Sequence, residues 1–165
     1  MLAGFAAAAT GDWLLAIRCS PPGSGGFVAG VGCFAAAHLL WMAGQIREAR
    51  PNMRAFIAAA IPLLLFAGVP LAQRLKPATA AAVVIYAAVS ALGLAMAVGT
   101  RRRIYTAGIA LLLFSDMMIG CRMLHVPGCG ALVGPTYIAA QICLLRSCFC
   151  RREPRFRRRH GGGEG

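Results

Sequence analysis

Asp12 and Asp116 lie inside apolar runs of a chain that has only five acidic residues. The other three, Glu48, Glu153 and Glu164, fall in arginine-rich loops or the tail. A carboxylate at the centre of a bilayer costs roughly 2.5–3.5 kcal/mol on insertion scales, so an acid retained there marks a working site: a proton donor, a stabiliser of positive charge or a step in a proton relay. His38, Tyr86, Ser115, Tyr137 and Gln141 are polar side chains in further apolar runs, of the types that orient a carboxyl group or a water in acid–base catalysis. Each also has a structural reading. Asp12 follows Gly11 near the start of the chain and suits a frayed helix end, Ser115-Asp116 suits an interhelical hydrogen bond, His38 suits a packing role, and Tyr86, Tyr137 and Gln141 suit the polar bonds that join membrane helices.

The elements that must position these residues follow from composition. The chain has 165 residues, 59% of them hydrophobic, with a mean hydropathy of +0.69, well beyond an ordinary soluble domain. It reads as an all-α, polytopic transmembrane helix bundle. A net charge of +12 would point a soluble protein toward nucleic acid, but the basic residues cluster between apolar segments and at the C-terminus, where membrane orientation accounts for them; no nucleic-acid partner is expected. The seven cysteines show no CxxC pair, no zinc-type spacing with histidine and an odd count, which fits small apolar residues in helices. Cys148 and Cys150, among arginines at a membrane edge, are candidates for palmitoylation. The start lacks the basic region of a signal peptide, and Gly11-Asp12 interrupts the would-be apolar region, so it is expected to remain as a helix.

Cutting the chain at charged and Pro/Gly-rich stretches leaves six apolar segments, about 1–17, 27–45, 55–72, 78–98, 104–119 and 131–149. Each is near the ~17–25 residues that cross the hydrocarbon, the first and fifth at the short end. No clearly broken helix and no inverted repeat is evident. The domain plan is a membrane domain over 1–149 and a basic, disordered cytoplasmic tail over 150–165. Alternate connectors carry Arg18, Arg74, Lys76 and Arg122 on one side, and on the other Arg47, Arg50, Arg54, Arg101, Arg102, Arg103 and the six arginines of the tail. The positive side faces the cytoplasm, so both termini are expected there. At 1.5 Å per residue, Asp12 and Asp116 then lie roughly 18 Å from the cytoplasmic edge, and His38, Tyr86 and Tyr137 roughly 9–17 Å below the outer one, with Gln141 about a turn deeper than Tyr137. Polar side chains from five segments thus converge on one slab, as a buried, partly hydrated cavity requires.

Gly11-Asp12, Gly32-Cys33-Phe34 with His38-Leu39-Leu40-Trp41, Tyr86 with Met96, Gly108 through Phe114-Ser115-Asp116, and Thr136 through Gln141 together resemble, in order and spacing over about 11–146, the lysoplasmalogenase family of integral membrane proteins. The resemblance implies a multi-helix membrane enzyme that hydrolyses the vinyl ether bond of a lysophospholipid, releasing a fatty aldehyde and glycerophosphoethanolamine or glycerophosphocholine. Trp41 stands where the family usually has tyrosine. The family looks like an eight-helix fold with the Gly-Asp motif on its third helix; here that motif begins at residue 11, so the first two helices are expected to be absent and the chain to be a shortened member. Animal relatives imply the endoplasmic reticulum, with a bacterial inner membrane as the alternative.

Vinyl ether hydrolysis starts with proton transfer to carbon and forms an oxocarbenium ion that water captures. The donor must be a neutral carboxylic acid when it acts, which low-dielectric surroundings favour. A second carboxylate would steady the cation and orient the water, as in glycosidases. Two like charges cannot both form cheaply in a dry site, so such a pair tends to hold one proton. Asp12 and Asp116 are the expected catalytic pair, and His38, Tyr86, Ser115, Tyr137 and Gln141 the orienting or substrate-binding residues. Arg50, Arg54 and Arg101 to Arg103 are candidates to attract the phosphate. No metal or other cofactor is required; a metal on the two aspartates and a histidine is the alternative. Two other classes use the same residues: a small proton-coupled transporter, since paired intramembrane acids also build proton relays, and a non-catalytic membrane scaffold.

Overall fold

A computed structural model describes residues 2–16, 24–47, 49–69 and 73–149. The described chain is all helical: α1 (Leu2–Ala16), α2 (Gly25–Ala43), α3 (Met53–Pro62) continued by a π-helical segment (Leu63–Gly68), α4 (Pro77–Gly99), α5 (Arg103–Met123) and α6 (Cys129–Phe149). The tail with His160, Cys150 and its arginines, and the first connector with Arg18 and Cys19, lie outside the described residues. Four helices, α2, α4, α5 and α6, are long and apolar enough to cross a membrane, and the protein is an integral membrane helical bundle.

Starts and stops follow local chemistry. Ser24 caps α2, its Oγ accepting from the Phe27 N–H, and Asn52 caps α3, accepting from the Ala55 N–H. Pro77 occupies the first turn of α4, where its missing N–H costs nothing. Between α4 and α5 the chain reverses in three residues, with Arg101 at φ 56°, and the Thr100 and Thr106 hydroxyls both donate to the Ala97 carbonyl.

Two lengths depart from the sequence-based expectation. The fifth segment, expected to stop near 119, is 21 residues long and ends at Met123: Arg122 in the last turn favours the helix C-terminus, where a cation meets the negative end of the dipole. The third, expected to run unbroken over 55–72, is an α-helix of ten residues ending in Pro62, followed by six π-helical residues. Proline removes a hydrogen bond and crowds the carbonyl four residues back, and widening to i→i+5 bonds relieves that crowding. The first segment, expected at about 1–17, is helical over its described residues, Leu2–Ala16.

The helices alternate in direction. α1 and α2 form one hairpin and cross at Gly11 and Gly30: a Cβ on Gly11 would lie 2.9 Å from the Phe34 ring, and one on Gly30 2.7 Å from Leu15. The glycine of the Gly-Asp pair thus brings α1 against α2. α5 and α6 form the most extensive hairpin, and α4 is the hub, packing against α2, α3 and α5. The core runs through Ala8, Ala37, Trp41, Ala97, Tyr105, Ile109, Leu112, Ala140 and Leu144. Large apolar residues such as Ile57, Ile85, Ile138 and Ile142 point outward, which in this fold means toward lipid.

Candidate active site

Each aspartate is held by a tyrosine from another helix. The Tyr86 hydroxyl on α4 donates to Asp116 Oδ2 on α5 at 2.5 Å, and the Tyr137 hydroxyl on α6 donates to Asp12 Oδ2 on α1, also at 2.5 Å. A tyrosine supplies one donor, and a carboxylate accepts it in a short, charge-assisted bond. The two pairs lie near each other: the Phe34 ring that packs on Gly11, next to Asp12, also lines the cavity that Tyr86 and Asp116 border.

The remaining candidates divide. His38, 1% exposed, has Nδ1 3.0 Å from the Phe34 carbonyl one turn back. A carbonyl only accepts, so Nδ1 carries the hydrogen, and in the neutral ring Nε2 is a bare acceptor; that nitrogen is buried and has no hydrogen-bond partner among the described residues. The ring packs edge-on against Tyr86, with centroids 5.6 Å apart, and against Trp41 at 5.7 Å. His38 therefore buttresses the phenol that holds Asp116, and its direct hydrogen bond is to backbone. Gln141, one turn beyond Tyr137, places its amide beside the Tyr137 hydroxyl. Ser115 faces away from Asp116: its Oγ donates to the Val133 carbonyl at 3.2 Å, joining α5 to α6. Successive residues on an α-helix point about 100° apart, so Ser115 and Asp116 serve different neighbours.

A cavity of about 100 Å³ opens beside the Tyr86–Asp116 pair. Apart from Tyr86, Asp116 and Ser90 its wall is apolar, with contributions from α1, α2, the π-helical segment, α4 and α5. Ser90 is a site residue that sequence reasoning missed; its position one turn after Tyr86, on the same helix face, was the available signal. Asp12, Tyr137, His38 and Gln141 stand outside the cavity wall. Among the described residues no group of three His, Cys, Asp or Glu side chains is placed to hold a metal ion.

The arginines considered for phosphate lie at the opposite end of the bundle from this cavity. Arg102 there is engaged in structure: its guanidinium donates to Gln45 Oε1 at 3.4 Å and to the Ser147 carbonyl at 2.5 Å, tying the ends of α2 and α6 to the start of α5.

Helices that cross a membrane and enclose a carboxyl pair, each acid gripped by a phenol, define a helical integral membrane protein with an intramembrane acid site. Residues 1–148 match the YhhN family, and the chain belongs to it. That family includes lysoplasmalogenases. No curated protein and no solved structure matches the chain.

Proposed function

We propose that this protein is a membrane hydrolase that cleaves the vinyl ether bond of lysoplasmalogens, releasing a fatty aldehyde and glycerophosphoethanolamine or glycerophosphocholine. The observation that carries the reading is the pair of Asp–Tyr hydrogen bonds converging inside an apolar bundle, in a chain whose family includes such enzymes. One aspartic acid delivers its proton to the β-carbon of the C=C–O unit; the π electrons form the new C–H bond, and positive charge spreads over the α-carbon and oxygen. The second carboxylate steadies that charge, and the first, now ionised, takes a proton from the water that adds to the α-carbon and so regains its acid form. The hemiacetal then collapses: its C–O bond breaks, the glycerol oxygen leaves with a proton, and the aldehyde remains. One water is consumed, and no redox step or metal is needed. Tyr86 and Tyr137 fix one oxygen of each carboxyl group, leaving the other oxygen to exchange a proton. The membrane proposed is the endoplasmic reticulum, with both termini cytoplasmic.

The test is purified, reconstituted protein given lysoplasmalogen, with aldehyde as the readout. Asp12→Asn and Asp116→Asn are each expected to lower aldehyde release roughly a hundredfold or more, the range for losing a general acid or base, with protein yield in detergent nearly unchanged. Full activity in both variants removes the mechanism. Proton-dependent uptake into vesicles without aldehyde would instead select a carrier.

A further inference from the structure

The cavity occupies one end of the bundle. Leu15 at the end of α1, Phe27 at the start of α2, Val83 in the second turn of α4 and Met123 at the end of α5 all line it, and Ser90 lies deepest along α4. It therefore faces the α1–α2, α3–α4 and α5–α6 connections, the side that the distribution of Lys and Arg makes non-cytoplasmic. Asp116 stands seven residues from the α5 end on this side and thirteen from the other, or about 10 Å against about 20 Å. At the far end the core closes around buried Trp41 and Tyr105, and Arg102 draws three helix ends together. Arg122, Arg74 and Lys76 are exposed at the cavity end, and the stem of Arg122 lies near Gly130 at the start of α6.

We infer that a single-chain lipid with a phosphate in its headgroup reaches the site through this cavity from the non-cytoplasmic leaflet, and that Asp116 is the carboxyl group it meets and the proton donor. The apolar walls accept the hydrocarbon, the cations at this end meet the phosphate, and the bond joining chain to glycerol comes to the depth of Tyr86 and Asp116. Asp12 sits outside the wall, held by Tyr137, and acts on the reaction through its charge. The assignment of Asp116 as proton donor rests on the hydrolase reading; the access route does not.

The experiment uses the full chain in oriented phosphatidylcholine vesicles and a saturated-ether lysophospholipid with a diazirine in its chain, which binds but carries no bond that this chemistry cleaves. Adducts are expected on peptides containing Leu15, Phe27 and Val31, or Val83, formed faster when the probe is supplied to the non-cytoplasmic leaflet. Val83→Trp, which fills the cavity, is expected to lower the adduct yield about tenfold, while Ile138→Trp on the outer face of α6 leaves it unchanged. Adducts confined to α6 or to the ends near Trp41 and Arg102, or formed equally fast from the cytoplasmic leaflet, overturn the route. A hydrophobic carbodiimide tests the acid: labelling of Asp116 that the probe blocks supports the assignment, and labelling of Asp12 alone, blocked by the probe, overturns it. Cavity adducts without aldehyde release from lysoplasmalogen would sustain the route and remove the hydrolase reading; aldehyde release with adducts elsewhere would do the reverse.

Discussion

The two acid sites make the same bond in different surroundings. Tyr86 and Asp116 face each other across α4 and α5, neighbours joined by a three-residue turn and in contact with each other, and this pair borders the cavity. Tyr137 and Asp12 join α6 to α1, which are 125 residues apart in sequence at the bond and share few other contacts. One pair is thus built into a hairpin that would position it in any case; the other is itself a principal link between the ends of the chain. The same phenol–carboxylate bond serves mainly placement of a reactive group in the first case and assembly in the second. Chemistry and stability should therefore respond in opposite proportion when the two pairs are cut.

The largest expected effect is on the carboxyl groups. Asp116→Asn keeps a hydrogen-bond acceptor for Tyr86 but has no acidic proton, so aldehyde release is expected to fall toward the upper end of the 10²–10⁴ range for losing a general acid. Asp12→Asn removes a charge and is expected to cost nearer 10². Steady-state aldehyde kinetics on both variants would sharpen the comparison; a greater loss at Asp12 would reverse the roles.

The phenols come next. Tyr86→Phe is expected to lower the rate about tenfold, in line with losing a hydrogen bond to a charged group worth about 1.5–3 kcal/mol, with little change in melting temperature in detergent. Tyr137→Phe is expected to show the opposite balance: a smaller rate loss and a clear drop in thermal stability, of the order of the 0.6–1.7 kcal/mol measured for hydrogen bonds between membrane helices. Equal effects from the two changes on both readouts would break the distinction between placement and assembly.

Much of this contrast was legible in the sequence, because membrane topology converts residue counts into depth. Six apolar segments and the alternation of arginines placed Asp12, Asp116, Tyr86 and Tyr137 in one slab before any partner was known. Depth does not give azimuth, however. Which tyrosine faces which aspartate depends on how each helix is rotated, and helices apolar on every face carry little periodic signal to fix that rotation. For the same reason Ser115 was grouped with Asp116, although one residue of helical rotation turns it to α6. The break after Pro62 was written in the sequence as a single proline, but membrane helices absorb many prolines without leaving α geometry; Pro135 sits inside α6 without ending it.

That second proline makes the smallest prediction informative. Pro135 has no N–H to offer the carbonyl four residues back, and hydroxyls crowd the same turn: Thr136 Oγ1 lies 2.6 Å from the Leu132 carbonyl and 3.2 Å from that of Val133, which also accepts from Ser115 Oγ at 3.2 Å. The Thr136 hydroxyl has one hydrogen, and the shorter contact makes the Leu132 carbonyl its main acceptor, so Ser115 is the chief hydroxyl donor to Val133. Ser115→Ala alone is expected to cost about 0.6 kcal/mol and to leave aldehyde kinetics unchanged, because its hydroxyl serves α6 and not Asp116. Thr136→Val alone should cost a similar amount. The two hydroxyls serve different carbonyls, so the double variant should lose about the sum of the single changes. A loss well beyond that sum in thermal melts would mean that the two hydroxyls share one acceptor. A drop in turnover from Ser115→Ala without a drop in stability would return Ser115 to the acid site from which its helix face separates it.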